Sequence, residues 1–203
     1  MASVLMVASE GLPFVKTGGL ADVIGSLPGA LADQGNEVKV VLPLYRKIAE
    51  KYMNDLYFCC EYTVSINYHE VPVRIWSTMV GPVAFFFVQH QGYFERDSLY
   101  GYDDDGERFA YFQKAVIEMF NQLNYWPNIV HCHDWQAALV PVYLRTLFVD
   151  TKLPTAKTVL TIHNLRFQGI YNIPTIRYWS GLPDYVFNKD ALKTGWTDAN
   201  MLK

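Results

Sequence analysis

Cysteine is scarce in this sequence and badly placed for cross-linking. There are three in 203 residues; Cys59 and Cys60 are adjacent and Cys132 stands far away. That spacing excludes a disulfide framework and a Cys-x-x-Cys metal pattern, and it fits buried thiols in a reducing cytoplasm. Long apolar runs are also missing. None approaches the roughly 18 residues of a membrane span, so no membrane partner is expected. The first apolar stretch, Val4–Ala8, is too short for a signal core and has no basic leader. Neither charge sign is in excess: 17 Lys and Arg against 20 Asp and Glu give a net −3. A nucleic-acid partner would need a basic footprint, which is absent. The cluster Asp103-Asp104-Asp105 with Glu107 lacks the alternate spacing of a calcium loop and reads as a solvated turn and helix cap. There is no internal repeat and no low-complexity linker.

What the sequence does have is apolar content, 51% of its residues, enough for one compact domain. Val4–Ala8 reads as a buried strand and Lys16-Thr17-Gly18-Gly19 as a Gly-rich turn. Leu20, Val23, Ile24, Leu27 and Leu31 recur at helical spacing until Gly35-Asn36, and Glu37–Leu42 is a second strand closed by Pro43. Strand, helix, strand is a βαβ unit with a right-handed crossover. Tyr57–Ile66, Val71–Val80 and Val83–Val88 read as a meander with turns at 67–70 and at Gly81-Pro82. Asp104 and Glu107 have the spacing of a capping box, which starts a helix over Glu107–Leu123. Ile129–His133 is a strand, Trp135–Phe148 an apolar helix and Thr158–His163 a strand. The fold class is therefore α/β, a Rossmann-like, mostly parallel open sheet. Residues 170–203 are less periodic. Thr197 is placed to cap a helix that is only beginning when the chain ends at Lys203, so the chain reads as a piece of something longer.

Open α/β sheets bind ligands at the carboxyl ends of their strands, and three polar clusters fall there. After the first strand, Lys16 precedes Gly18, Gly19 and a helix N-terminus, with Asp22 in its first turn. Free amides, a partial positive charge and a lysine suit a diphosphate; a plain glycine turn with a solvated lysine accounts for the same residues. The second cluster is His131-Cys132-His133-Asp134-Trp135. Alternation puts His131 and His133 on one face, His131 as a core histidine. No further ligand stands at metallohydrolase spacing, so no metal is expected. Asp134 reads either as an N-cap or as an acid for sugar hydroxyls, and Trp135 as core or as a stacking face for a sugar ring. The third cluster, Thr161-Ile162-His163-Asn164-Leu165 with Gln168-Gly169, offers neutral donors and acceptors suited to hydroxyls. A loop-closing histidine hydrogen bond explains it equally.

Taken in order, Lys16-Thr17-Gly18-Gly19-Leu20-Ala21-Asp22-Val23, His131-Cys132-His133-Asp134-Trp135-Gln136 and Thr161-Ile162-His163-Asn164-Leu165 resemble the signatures of bacterial glycogen synthases and plant starch synthases. Tyr93-Phe94-Glu95-Arg96 and Arg108-Phe109 also fit, and the likeness spans essentially the whole chain. It implies a GT-B architecture in which residues 1–203 are the N-terminal, acceptor-side domain and a C-terminal nucleotide-binding domain lies outside them. It implies retaining transfer of glucose from ADP-glucose to the non-reducing end of an α-1,4-glucan, without metal or other cofactor, in the cytoplasm (in the plastid for a plant protein). UDP-glucose remains open as the alternative donor. By resemblance, Lys16, Gly18, Gly19 and Asp22 approach the donor, and His163 and Asn164 contact its glucose. Asp134, Trp135 and Phe94 line the acceptor side, and Lys16, His163 and Asp134 are the catalytic set. Phe94 stands where some members carry tyrosine. Catalysis would come from positioning and charge stabilisation, and residues 1–203 alone are expected to be inactive. A non-catalytic glucan-binding or regulatory module of the same fold is the alternative.

Overall fold

The computed structural model describes residues 1–149 and 155–203. Its main sheet has seven strands: β1 (Ser3–Val7), β2 (Glu37–Pro43), β3 (Tyr57–Ile66), β4 (His69–Val80), β5 (Val83–Gln89), β6 (Ile129–His133) and β7 (Lys157–Thr161). Their spatial order is β3-β4-β5-β2-β1-β6-β7. The run from β5 to β7 is parallel, and the β3–β4–β5 meander joins it through β5, so the meander extends the sheet. Its turns are two residues each. Asn67 (φ +56°) opens one, and Gly81 (φ +56°) precedes Pro82 in the other, a left-handed first position that suits a tight hairpin.

The helices are α1 (Gly19–Asp33), α2 (Arg46–Tyr52), the single turn α3 (Gln91–Phe94), α4 (Asp105–Gln122), α5 (Leu139–Thr146) and α6 (Ile173–Ser180). Helix α1 ends as the sequence predicts. Gly35 takes φ +84° and donates to the Ala32 carbonyl at 2.8 Å, while Asn36 reaches the Leu31 carbonyl at 3.4 Å, a Schellman stop. From β1 the chain crosses by α1 to β2 on one side; from β5 it returns by α4 to β6 on the other. Right-handed crossovers in opposite directions put these helices on opposite faces and leave a crevice at β1, where the order reverses. β1 is nearly all buried, as a two-sided parallel strand must be. α4 is buried along most of its length, against β3, β5, α5 and α6.

Four expectations are corrected. The capping box at Asp104 does not form: its carboxylate takes both Nη atoms of Arg96 at 2.6 Å, and Glu107 accepts from Tyr93 Oη. An arginine fork outcompetes a backbone amide for a carboxylate. The helix expected from Trp135 begins at Leu139, because 135–138 coil in tight turns and Gln113 Oε1 caps the Leu139 N–H at 2.6 Å from α4. Thr197 starts no helix. A second sheet, β8 (Ile170–Asn172), β9 (Lys193–Thr194) and β10 (Asp198–Asn200), runs there in the order β8-β10-β9. α6, in a stretch whose sequence is less periodic, carries a start and a stop signal: Asn172 caps the Thr175 N–H at 2.9 Å and Gly181 has φ +67°. Among the described residues no helix is long and apolar enough to cross a membrane.

The floor of the crevice rests on a buried charge. Arg108 is fully enclosed; its Nη1 donates to Asp105 Oδ1 at 2.8 Å and to the Leu99 carbonyl at 3.0 Å. The guanidinium lies 5.1–5.3 Å from the rings of Phe94, Tyr102 and Phe109, a delocalised cation among π faces. Removing one partner of such a pair strands the other. Arg108→Leu is therefore expected to lower unfolding free energy by about 3 kcal/mol in urea titrations. Arg108→Leu with Asp105→Asn should lose less than the single change.

Candidate active site

A cleft of about 950 Å³ opens at the carboxyl ends of β1, β6 and β7, within the size range of small-molecule sites. All three sequence clusters reach it or flank it. Gly18, Gly19, Asp134, Trp135, His163 and Asn164 line its walls. Lys16 and Asp22 stand beside the lining and hold each other, Lys16 Nζ lying 2.6 and 2.7 Å from the two Asp22 oxygens, with both side chains about half exposed. Phe94 is a correction. It is 0% exposed, packed against Tyr45, Arg108 and Phe112, and has no surface to offer a sugar. Trp135 is mostly core: 6% exposed, edge-on to Phe109 at 5.2 Å and covered by Gly169. Gly169 has φ +61°, and a Cβ there would lie 2.7 Å from the Trp135 ring, so only glycine fits.

The Gly loop is held by a residue that the motif reading did not single out. Glu10 is 3% exposed and sits three residues past β1. Its Oε2 accepts from Thr17 N at 2.5 Å and Thr17 Oγ1 at 2.7 Å, and its Oε1 accepts from Gly18 N at 3.1 Å. The loop folds back over this carboxylate, and α1 begins at the next residue; among the described residues no side chain caps it. Its first free amides therefore remain at the cleft with the positive end of the helix dipole. Ser9 and Tyr100 were also missed, and Asp105, read as part of a solvated turn, is buried instead. Tyr100 Oη donates to Ser9 Oγ at 2.7 Å, and Asp105 Oδ2 accepts from Gly101 N at 2.8 Å. Position alone could have flagged Glu10: an acid just beyond a buried strand.

Asp134 is not an N-cap. It takes φ +58°, donates its N–H to the Thr161 carbonyl at 3.0 Å, and accepts with Oδ1 from His163 N at 2.7 Å and Asn164 N at 3.4 Å. The end of β6 thereby fixes the loop that follows β7. Its Oδ2 has no hydrogen-bond partner among the described residues. The imidazoles form a row. His131 Nε2 is 2.7 Å from Thr161 Oγ1, the His131 and His133 rings are 4.1 Å apart, and His133 Nδ1 is 2.9 Å from His163 Nε2. His131 is half-buried and bonded, as a core histidine should be. Burial, then His131 and His163, push the His133 imidazole down to about 3; burial and His163 lower His131 as well. Both are neutral near pH 7. Among the described residues no group of three His, Cys, Asp or Glu side chains is arranged to hold a metal ion.

This fold has known counterparts. Residues 3–203 match the family model described as the starch synthase catalytic domain. A glycogen synthase of Lactobacillus acidophilus is 41% identical over 202 residues, covering 98% of this chain and 40% of that protein. One of Desulforamulus reducens is 38% identical over 191 residues, covering 94% and 40%. The solved catalytic domain of starch synthase IV from Arabidopsis thaliana, bound to ADP and acarbose, superposes with a TM-score of 0.92 at 29% identity over 99% of this chain and 42% of that one. The chain thus spans about two fifths of the length of the curated relatives it matches.

Two measurements test the site's construction. Glu10→Ala is expected to raise hydrogen exchange at the Thr17 and Gly18 amides about tenfold or more, since each loses a charge-assisted bond; unchanged protection would mean the loop holds itself. The second is pH. His133 in the folded chain titrates near 3, whereas an unfolded histidine titrates near ~6.5. Between those values the unfolded chain binds a proton that the folded one refuses, so stability falls as pH drops through that window. The slope from this group is at most about 1.4 kcal/mol per pH unit. Urea unfolding at about pH 7 and about pH 5 should show it, and His133→Asn should flatten the difference.

Proposed function

Because the chain belongs to the starch synthase catalytic domain family, we propose that residues 1–203 form the acceptor-side half of a retaining glucosyltransferase, which moves glucose from ADP-glucose to the non-reducing end of an α-1,4-glucan. The observation that carries this reading is the cleft at the β1–β6–β7 crevice, where a free helix N-terminus faces an acid-oriented His163-Asn164 loop. ADP and acarbose, a nucleotide and a glucan-like sugar, are the ligands named for the Arabidopsis structure that shares this fold.

The charge of the lining divides the labour. Glu10, Asp105 and Asp134 outnumber Arg166 among the ionisable residues there. Such a wall, with tyrosines and the Trp135 edge, suits sugar hydroxyls better than a bare diphosphate. The two-domain reading follows: this half orients the sugars, and a second domain supplies most of the positive charge on the nucleotide. This half contributes the α1 amides and Lys16. Its ion pair with Asp22 is exposed and worth little, so Lys16 can turn to a phosphate at small cost.

In the transfer, the bond between glucose C1 and the β-phosphate oxygen breaks and a bond from C1 to the acceptor O4 forms on the same face. The acceptor's hydroxyl proton passes to the departing phosphate oxygen. Negative charge grows on the diphosphate, where the helix N-terminus and Lys16 meet it. His163 and Asn164, fixed through Asp134, hold the glucose. No metal or other cofactor is assigned a role, and a cytoplasmic setting fits the bacterial relatives.

The test is elongation of glycogen by the whole protein, with ADP-glucose and UDP-glucose offered separately. Transfer from ADP-glucose is expected, with Lys16→Ala lowering kcat about a hundredfold while glucan binding persists. Residues 1–203 alone should transfer nothing. If the whole protein binds glucan but uses neither donor, the cleft is that of a binding module and the catalytic roles fall.

A further inference from the structure

His133 takes no part in the roles assigned above, yet it is buried at 0% exposure directly behind His163. The contact between them is nitrogen to nitrogen, 2.9 Å from His133 Nδ1 to His163 Nε2. A hydrogen bond there needs one proton, so one ring donates and the other accepts. Which ring donates is decided at the far side of His133. Its Nε2 is buried and, among the described residues, has no hydrogen-bond partner. If His163 donated, neutral His133 would have to carry its own proton on Nε2, a buried N–H with nothing to receive it. If His133 donates from Nδ1, Nε2 is only an unused lone pair. Buried donors without partners are the rarer and costlier case.

We infer that His133 is a positioning residue that holds His163 in the tautomer with its proton on Nδ1, so that His163 meets the sugar as a hydrogen-bond donor. His163 lines the cleft and its Nε2 is taken, so Nδ1 is the nitrogen left for a ligand. The row behind it supports the assignment. His131 is occupied with Thr161 Oγ1 and lies ring to ring with His133, 4.1 Å apart. This surrounding, with burial, disfavours the doubly protonated His133 that would escape the choice. The identity of the bound partner, a hydroxyl or ring oxygen of glucose, rests on the transferase reading; the tautomer does not.

The tautomer can be read directly by long-range proton–nitrogen correlation NMR on the 15N-labelled chain, with the imidazoles assigned through His131→Gln and His163→Gln. The expected pattern is a pyrrole-type Nδ1 and a pyridine-type Nε2 on both His133 and His163. A pyrrole-type Nε2 on His163 would overturn the inference. His133→Phe keeps a ring but has no donor, and should shift the His163 Nε2 resonance towards pyrrole type. His133→Asn, whose amide nitrogen can stand where Nδ1 stood, should restore the original pattern. If the phenylalanine variant leaves His163 unchanged, His133 only fills space. If that variant does not fold, the unaltered chain and the asparagine variant still give the reading. In the whole protein His133→Phe is expected to lower kcat about tenfold or more, as a wrong imidazole tautomer does, with KM for ADP-glucose nearly unchanged. An unchanged kcat would overturn the catalytic value of the donor. Correct tautomers in a protein that transfers no glucose would instead refute the transferase reading alone.

Discussion

Backbone that leaves a buried sheet must find acceptors for its amides before it reaches water, and here carboxylates supply them. Glu10 takes the amides of Thr17 and Gly18 after β1, Asp134 those of His163 and Asn164 across β6 and β7, and Asp105 that of Gly101 at the start of α4. Glu10 and Asp105 close their own loops, whereas Asp134 ties the end of β6 to a loop about thirty residues further on. Buried or half-buried carboxylates are stable only with such donors. These bonds hold the loops from their polar side, while Phe14, Val15 and Trp135 anchor them in the core.

That frame explains what could and could not be read from the residues. Val4–Ala8, Glu37–Leu42, Ile129–His133 and the helix from Leu20 were legible because periodicity and a glycine stop are local signals. The meander was legible for the same reason. Asp104 as a helix cap was not, since Arg96 competes for it from eight residues away. The start of α5 was misplaced because its cap, Gln113, arrives from another helix. The short strands near the end of the chain gave no period to find. In the site, Lys16, Gly18, Gly19, Asp134, His163 and Asn164 announced themselves as motifs. His133's hold on His163 is visible only once β6 and β7 are paired in register, with His133 opposite Thr161.

Phe94 shows the limit of transferring a role by position. Here the ring joins Tyr45, Phe109 and Phe112 around Arg108. The aromatic cage then serves the buried cation, and the sugar must be met by other groups of the lining.

The order of strands also dictates a sequence in time. β1 pairs on one side with β2, about thirty residues further on, and on the other with β6, which follows only after the meander and α4. During synthesis the first βαβ unit can close early, as local contacts do. The opposite edge of β1 then waits, apolar and unpaired, while more than eighty further residues emerge. An open edge of that kind invites pairing with other chains. The crevice that makes the fold useful to a ligand is thus the same seam that makes the nascent protein vulnerable.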